Sequence, residues 1–256
     1  PVFTREIGYA QQAYNWWYFD GETTPELIWP QSVSVYDAMR RQDAQVASVL
    51  RAVTLPVRRT PWRIDPAGAR PEVVELVAAD LGLPIVGEDP APPPRTRDRF
   101  SWPEHLRQAL TMLPFGHSFF EQVYRVDDDG ARAHLHKLAP RPQSTIQTVN
   151  VADDGGLISI EQFSRGTSAA ARPIPVARLV AYVHDREGGN WLGTSLLRPA
   201  YKHWLIKDRL LRVQAQTIER NGMGIPLYKA AESENSLTAG LGMATSWRAG
   251  EAAGSA

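Results

Sequence analysis

The residues with the most obvious chemistry are three histidines. His134 and His136 alternate along a segment that reads as a strand, so both rings fall on one side, and with His184 they could in principle ligate a metal. Two ligands are not a site, and a pair of exposed or core histidines in a β module is the better account. A His-based metal hydrolase is kept only as a distant alternative. Asp127-Asp128-Asp129-Gly130 begins like a calcium loop but lacks the alternating ligands and the closing Glu, so it reads as a polar hairpin turn. Gly188 to Gly193 lacks the Gly-Lys-Ser/Thr ending of a phosphate loop, and Gly-Xaa-Ser-Xaa-Gly occurs nowhere. With 0 Cys there is no thiolate chemistry and no disulfide framework. These residues predict a protein that is not an enzyme and holds neither metal nor cofactor.

A second constellation is electrostatic. Ser195 to Asn221 is expected to form the longest helix, ended by Gly222. At about 100° per residue, Arg198, Lys202, Arg209, Arg212, Gln216 and Arg220 fall within roughly 80° of one another. Leu197, Ala200, Trp204, Leu211, Ala215 and Ile218 lie opposite or beside them as an apolar face. Six basic residues against Asp208 and Glu219 give this segment +4, whereas the whole chain has 28 basic and 28 acidic residues. A zero net charge excludes a global pull toward DNA or anionic membranes, so any nucleic-acid role is local. A charged stripe is also what a solvated helix face looks like. No zinc finger or other base-reading motif is present.

The elements that must position these groups read as an α+β fold. The 256 residues, 43% hydrophobic, suffice for one large domain or two small ones. Residues 1–33 form an aromatic, irregular arm in which Trp16, Trp17 and Trp29 read as subunit-packing anchors, as does Trp204 on the long helix. Ser34 is placed as the cap of a helix through Val53, ending before Pro56. A short strand from Val57 to Ile64, a helix from Pro71 to Gly82, a Pro-rich linker at Pro90 to Pro94 and a helix from Trp102 to Leu113 follow. Strands are expected over Phe119 to Val126, Ala133 to Leu138, Thr145 to Val151, Leu157 to Phe163 and Val176 to His184. No run of 18 apolar residues and no signal-peptide pattern appear, which predicts a soluble chain, intracellular at synthesis, without a membrane partner. Both ends read as cut edges of a longer chain.

Taken in order, these motifs resemble the portal proteins of tailed bacteriophages, in particular the Mu-like branch and its relatives in phages of actinobacteria. The strongest likeness is Trp191-Leu-Gly-Thr-Ser-Leu-Leu-Arg-Pro-Ala-Tyr201, then Trp204, Lys207 and Asp208, then Glu219-Arg-Asn-Gly-Met-Gly-Ile-Pro226. Weaker echoes are Met39 and Asp43, Pro61-Trp62-Arg63-Ile64, Phe115-Gly116-His117-Ser118-Phe119-Phe120-Glu121, and Lys137-Leu138-Ala139-Pro140-Arg141. The resemblance spans roughly residues 34–228, and portals usually continue well beyond that point.

The resemblance implies a structural subunit in a ring of about twelve copies at one capsid vertex, a conduit for DNA packaging and ejection. It implies partners too: the major capsid protein, the terminase, head-tail connector proteins, and double-stranded DNA held without sequence preference. By analogy, residues 1–100 are wing-like, 101–116 and 195–221 are paired stem helices, 117–194 are a β-rich clip module, and 222–256 start a return segment. Arg198, Lys202, Arg209, Arg212 and Arg220 then become a channel-lining or inter-subunit stripe. Neutral overall charge with repeated basic belts suits a conduit, which must hold phosphates weakly enough to let them slide. The alternative from another class is a monomeric DNA-binding accessory module built on the same helix.

Overall fold

The computed structural model describes residues 22–88, 100–127, 130, 132–163, 172–222 and 242, with side chains of the last helix described as far as residue 219. Trp16, Trp17, the Pro90–Pro94 linker and the segment after Gly222 that contains Pro226 therefore lie outside the described residues. The chain divides into two compact units, residues 1–202 and 203–256.

The first unit opens with two helices where one was expected. In α1 (Gln31–Gln42), Ser32, Val33, Tyr36 and Met39 are buried, a three-to-four spacing that turns one face inward. Asp43 then leaves the helical region at φ −104°, and its carboxylate accepts the backbone N–H groups of Gln45 (2.8 Å) and Val46 (3.3 Å). An Asp that satisfies two otherwise orphaned donors starts a new helix more effectively than it continues an old one. The result is α2 (Ala44–Arg59). Ser34, expected as the cap, sits inside α1 and donates to the Gln31 carbonyl at 2.8 Å.

Pro56 does not end α2, which continues to Arg59. Nor do residues 57–64 form a strand: in their place, Ile64 makes a single parallel bridge to Ile85. Ala52 and Pro56 are both exposed, so the carbonyl that Pro56 leaves without its N–H donor lies on the solvent side of the helix. Between the bridge partners runs α3 (Pro71–Leu81), opened by Pro71 and closed by Gly82 at φ 63°, as the sequence predicts. The expected helix from Trp102 to Leu113 is divided into α4 (Trp102–Ala109) and α5 (Met112–Phe115).

The strands fall within 117–183 and build two antiparallel sheets, confirming an α+β architecture. One has the order β2 (Ala133–Arg141), β1 (His117–Val126), β6 (Leu179–Val183), and the other β3 (Ile146–Val151), β4 (Leu157–Gln162), β5 (Ile174–Pro175). The first four residues of β1, His117 to Phe120, are buried on both faces, because successive side chains point to opposite sides of the sheet and both sides are covered there. Phe119 joins Ile146, Leu157, Ile160 and Leu179 in the core between the sheets. Phe120 points the other way, with its ring centroid 4.5 Å from that of His105 on α4 and 5.9 Å from that of Tyr182 on β6.

The longest described helix, α6 (Tyr201–Gly222), carries no strand anywhere along it, but it begins six residues later than expected. Leu196 to Ala200 form turns instead. No described helix is long and apolar enough to cross a membrane.

Candidate assembly and nucleic-acid interface

Of the predicted basic stripe, Lys202, Arg209 and Arg212 lie on α6 with exposed side chains. Arg212 Nε donates to Asp208 at 2.9 Å, a pair exposed on both partners (77% and 61%) and so worth only a few tenths of a kcal/mol. The side chain of Arg220 lies outside the described residues.

Arg198 is separated from the stripe. It sits before the helix and is gripped by both oxygens of Glu22, with Thr24 Oγ1 at 3.3 Å. Burial pushes the Glu22 carboxyl up, but the hydrogen bonds from Arg198 and the Thr24 amide outweigh it and hold the carboxyl below its ordinary value. The partners are 176 residues apart in sequence, so no local signal reveals the pairing. A cavity of about 190 Å³ lies beside them, bordered by Trp29, Tyr36, Asn190 and Ser195, and the only cation in its lining is this already paired arginine.

The Trp191 to Tyr201 motif has a structural explanation. Asn190 Oδ1 accepts the amides of Leu192 (2.9 Å) and Gly193 (3.2 Å), and Trp191 Nε1 donates to the Gly155 carbonyl at 2.8 Å. The turn thus formed is laced to the start of β1. His184 N donates to Gly116 O (2.8 Å), Thr194 N to His184 O (2.9 Å) and Leu196 N to Leu113 O (2.8 Å). Ser195 Oγ donates to Pro114 O at 2.6 Å. Gly116 and Gly193, both at positive φ, approach so closely that a side chain on either would collide with the backbone of the other's segment.

The histidines do not converge. His134 lies between carboxylates, Nδ1 at 2.8 Å from Asp80 and Nε2 at 3.3 Å from Asp127, and the hydrogen bond to Asp80 is the largest cause of its raised pKa. His136 falls at the register shift in the β1–β2 pairing, and His184 Nδ1 lies 2.7 Å from the Thr194 carbonyl. Among the described residues no three His, Asp or Glu side chains gather as a metal site. Two histidines outside that prediction are the buried ones. His117 Nδ1 is 3.0 Å from Leu192 O and His105 Nε2 is 2.9 Å from Tyr182 Oη, and burial holds both rings near a pKa of about 4.

The tryptophans divide as well. Trp29, expected at a subunit contact, packs against the core between the sheets, and its Nε1 has no hydrogen-bond partner among the described residues. Trp204 is half-buried. The sequence reading missed a second apolar line on α6. Ile206, Leu210 and Val213 are exposed by 44%, 61% and 57%, as fully as Leu211 (54%) and Ile218 (63%) on the line it did see.

The glycine-locked turn, the strand it is laced to and the helix that follows all lie within residues 33–254, which match the model of a family described as portal protein of Mu bacteriophage. The chain belongs to this Mu-like portal family. The match takes in every described α-helix and strand except the first two residues of α1, and leaves out the short 3-10 turn at Pro25–Leu27. The Mu-like portal family is a structural one, not a family of enzymes. Membership makes the chain a component of a phage particle and of a capsid-associated oligomeric assembly.

Proposed function

We propose that this Mu-like portal subunit assembles into a closed ring of about twelve copies at one capsid vertex, through which double-stranded DNA enters and leaves the head. The observation that supports this most directly, beyond family membership, is α6: Lys202, Arg209 and Arg212 project from one exposed helix of a chain with 28 basic and 28 acidic residues. A ring repeats each residue at one height, so single charges become belts. A belt on a neutral body attracts phosphate without the accumulated counterion release that would clamp it. In this reading residues 1–100 form the wing, 101–116 and 195–221 the stem, 117–194 the clip and 222–256 the start of a return segment. The ring meets the major capsid protein, the terminase that burns ATP and the connector proteins.

Negative-stain averaging and native mass of the purified chain test this. The expected result is a ring with a central hole. A monomer that binds duplex DNA tightly at low salt would instead support the accessory-module reading. The stripe has its own test. If it lines the channel, Lys202→Gln with Arg209→Gln leaves rings intact and changes DNA retention in a salt-dependent way. If it lies between subunits, the same change weakens the ring itself.

A further inference from the structure

α3 lies in a loop that is closed at its base. The Ile64 amide donates to the Pro84 carbonyl at 2.9 Å and the Val86 amide to the Ile64 carbonyl at 2.8 Å, so residues 64–86 begin and end at one place. The turns at Gly68 and Gly87 stand in the open, with no atom within 4 Å of where a side chain would start. Within the loop the helix is thinly packed: of its 11 residues only Val74 is buried, and Val73 and Val77 are 40% and 39% exposed. So little apolar burial gives a helix little hold on the rest of the unit.

A single carboxylate makes a polar attachment to the sheet. Asp80 Oδ2 accepts the Leu135 amide at 2.8 Å, on β2, the edge strand of its sheet, and Oδ1 lies 2.8 Å from His134 Nδ1. The other ring nitrogen of His134 lies 3.3 Å from Asp127, in the turn between β1 and β2. The ring thus has a carboxylate at each nitrogen. A neutral imidazole carries one N–H and one lone pair, and only the doubly protonated ring donates on both sides. If the neutral ring keeps its proton on Nε2, the lone pair meets Asp80, whose side chain is only 15% exposed and so poorly placed to take water instead. If it keeps the proton on Nδ1, the lone pair meets Asp127, and the bond to Asp80 loses the strength that the cation's charge gives it.

Other charged groups surround the ring without taking its place. Arg125 faces His134 across the β1–β2 pair and is exposed, and Arg132 and His136 flank it along the chain. On α3, Glu72 and Glu75 stand about 80° and 140° round the helix from Asp80. Asp128 and Asp129 of the turn lie outside the described residues.

We propose that α3 is a strap over the outer edge of β2, latched by the second proton on His134: the charged ring holds the strap down, and its neutralisation lets the strap swing out from its closed base. While latched, the strap covers a strand edge that would otherwise be a template for another extended segment. The direction of the His134 pKa agrees. The hydrogen bond to Asp80 is the largest cause of its elevation, so latching is complete below the ordinary value of 6.5 and is lost as pH rises through the folded value. Every part of the device belongs to one chain, so it holds or fails independently of the ring reading.

Hydrogen–deuterium exchange of the full chain tests it, read at the amides of residues 73–81 and of Leu135 and corrected for the intrinsic pH dependence of exchange. In wild type the opening of these amides should increase roughly threefold or more from about pH 6 to about pH 9. In His134→Gln, which has no proton to lose, opening should be the same at both pH values and match wild type at the higher one. Wild-type opening that does not change with pH overturns the proposal, as does a pH response that persists in His134→Gln. Asp80→Asn keeps an acceptor for the Leu135 amide while removing the charge, and serves if the glutamine variant does not fold. Its response should be flat, and a response equal to that of wild type again sinks the latch.

Discussion

β1 and α6 are the two most informative segments of the chain, and they treat their side chains in opposite ways. β1 buries four residues in succession, His117 to Phe120, each face served by a different layer of the same unit. α6 leaves Leu210, Leu211, Val213 and Ile218 more than half exposed. A strand covered on both sides obtains its stability from its own chain. A helix bare on both sides obtains little of its stability from packing on its own chain. The contrast predicts that substitutions in β1 register in the folding of one chain, and substitutions in α6 register in assembly.

Phe119→Ala should break the first half of that contrast most severely, since deletion of a fully buried aromatic costs about 3–5 kcal/mol. Urea denaturation followed by tryptophan fluorescence measures it, and a loss under 1 kcal/mol would show that the core between the sheets is not where stability resides.

Acid should act nearly as strongly through the same strand. Burial keeps His117 and His105 unprotonated down to a pKa of about 4, whereas the unfolded chain takes up protons near the ordinary value of 6.5. The native state thus binds fewer protons across that window, and stability falls as the pH drops from 6.5 toward 4, by about 3 kcal/mol for His117 alone. His134 works in the opposite sense. Its pKa is raised, so what it contributes is fully present below 6.5 and is lost as pH rises through the folded value. Unfolding midpoints measured from pH 4 to pH 8 should show a shallower acid limb in His117→Gln.

For α6 the expected effects on a single chain are small. Leu211→Ala should change unfolding of the monomer by less than about 0.5 kcal/mol, as exposed positions do, while size-exclusion of the assembled material should show its loss. Arg212→Ala should be smallest of all, a few tenths of a kcal/mol at low salt and nothing measurable at high salt, because its pair with Asp208 is exposed. A large effect of either substitution on the isolated chain would erase the distinction between the two segments.

What could be read from sequence follows the same division. Pro71 and Gly82 bracketed α3 because both ends use backbone rules that act within a few residues. The positions of β1 to β4 and β6 were legible from alternation, although residues 176–178, expected to begin the last strand, form a 3-10 turn, and α6 was legible from its periodicity. Asp43 was not read as a cap, although an Asp followed by a fresh apolar period is a local signal that could have found it. Val57 to Ile64 looked like a strand because Trp62 and Ile64 alternate, yet the preceding helix extends through Pro56 and takes the first of those residues. Arg198 fitted the helical wheel perfectly and is nevertheless elsewhere, since its partner Glu22 lies far outside any window. The basic stripe and the line of Ile206, Leu210 and Val213 share one wheel, and an apolar line that stays exposed has no burial signal in the sequence to set it apart.

The lacing of the Gly193 turn to the start of β1 has a consequence for the order in which a growing chain can settle. β1 pairs locally with β2, so that hairpin can close once residue 141 has emerged from the ribosome. Its other edge waits for Leu179 to Val183, and the hydrogen bonds that fix Leu113, Pro114 and Gly116 wait for His184 to Leu196. Until then one edge of β1 is an open template for any extended segment nearby. The Glu22 to Arg198 clasp comes later still, joining an early-made residue to one made 176 positions afterward. Slowing translation before residue 179 should therefore lengthen the period in which nascent chains aggregate, and slowing it after residue 198 should not.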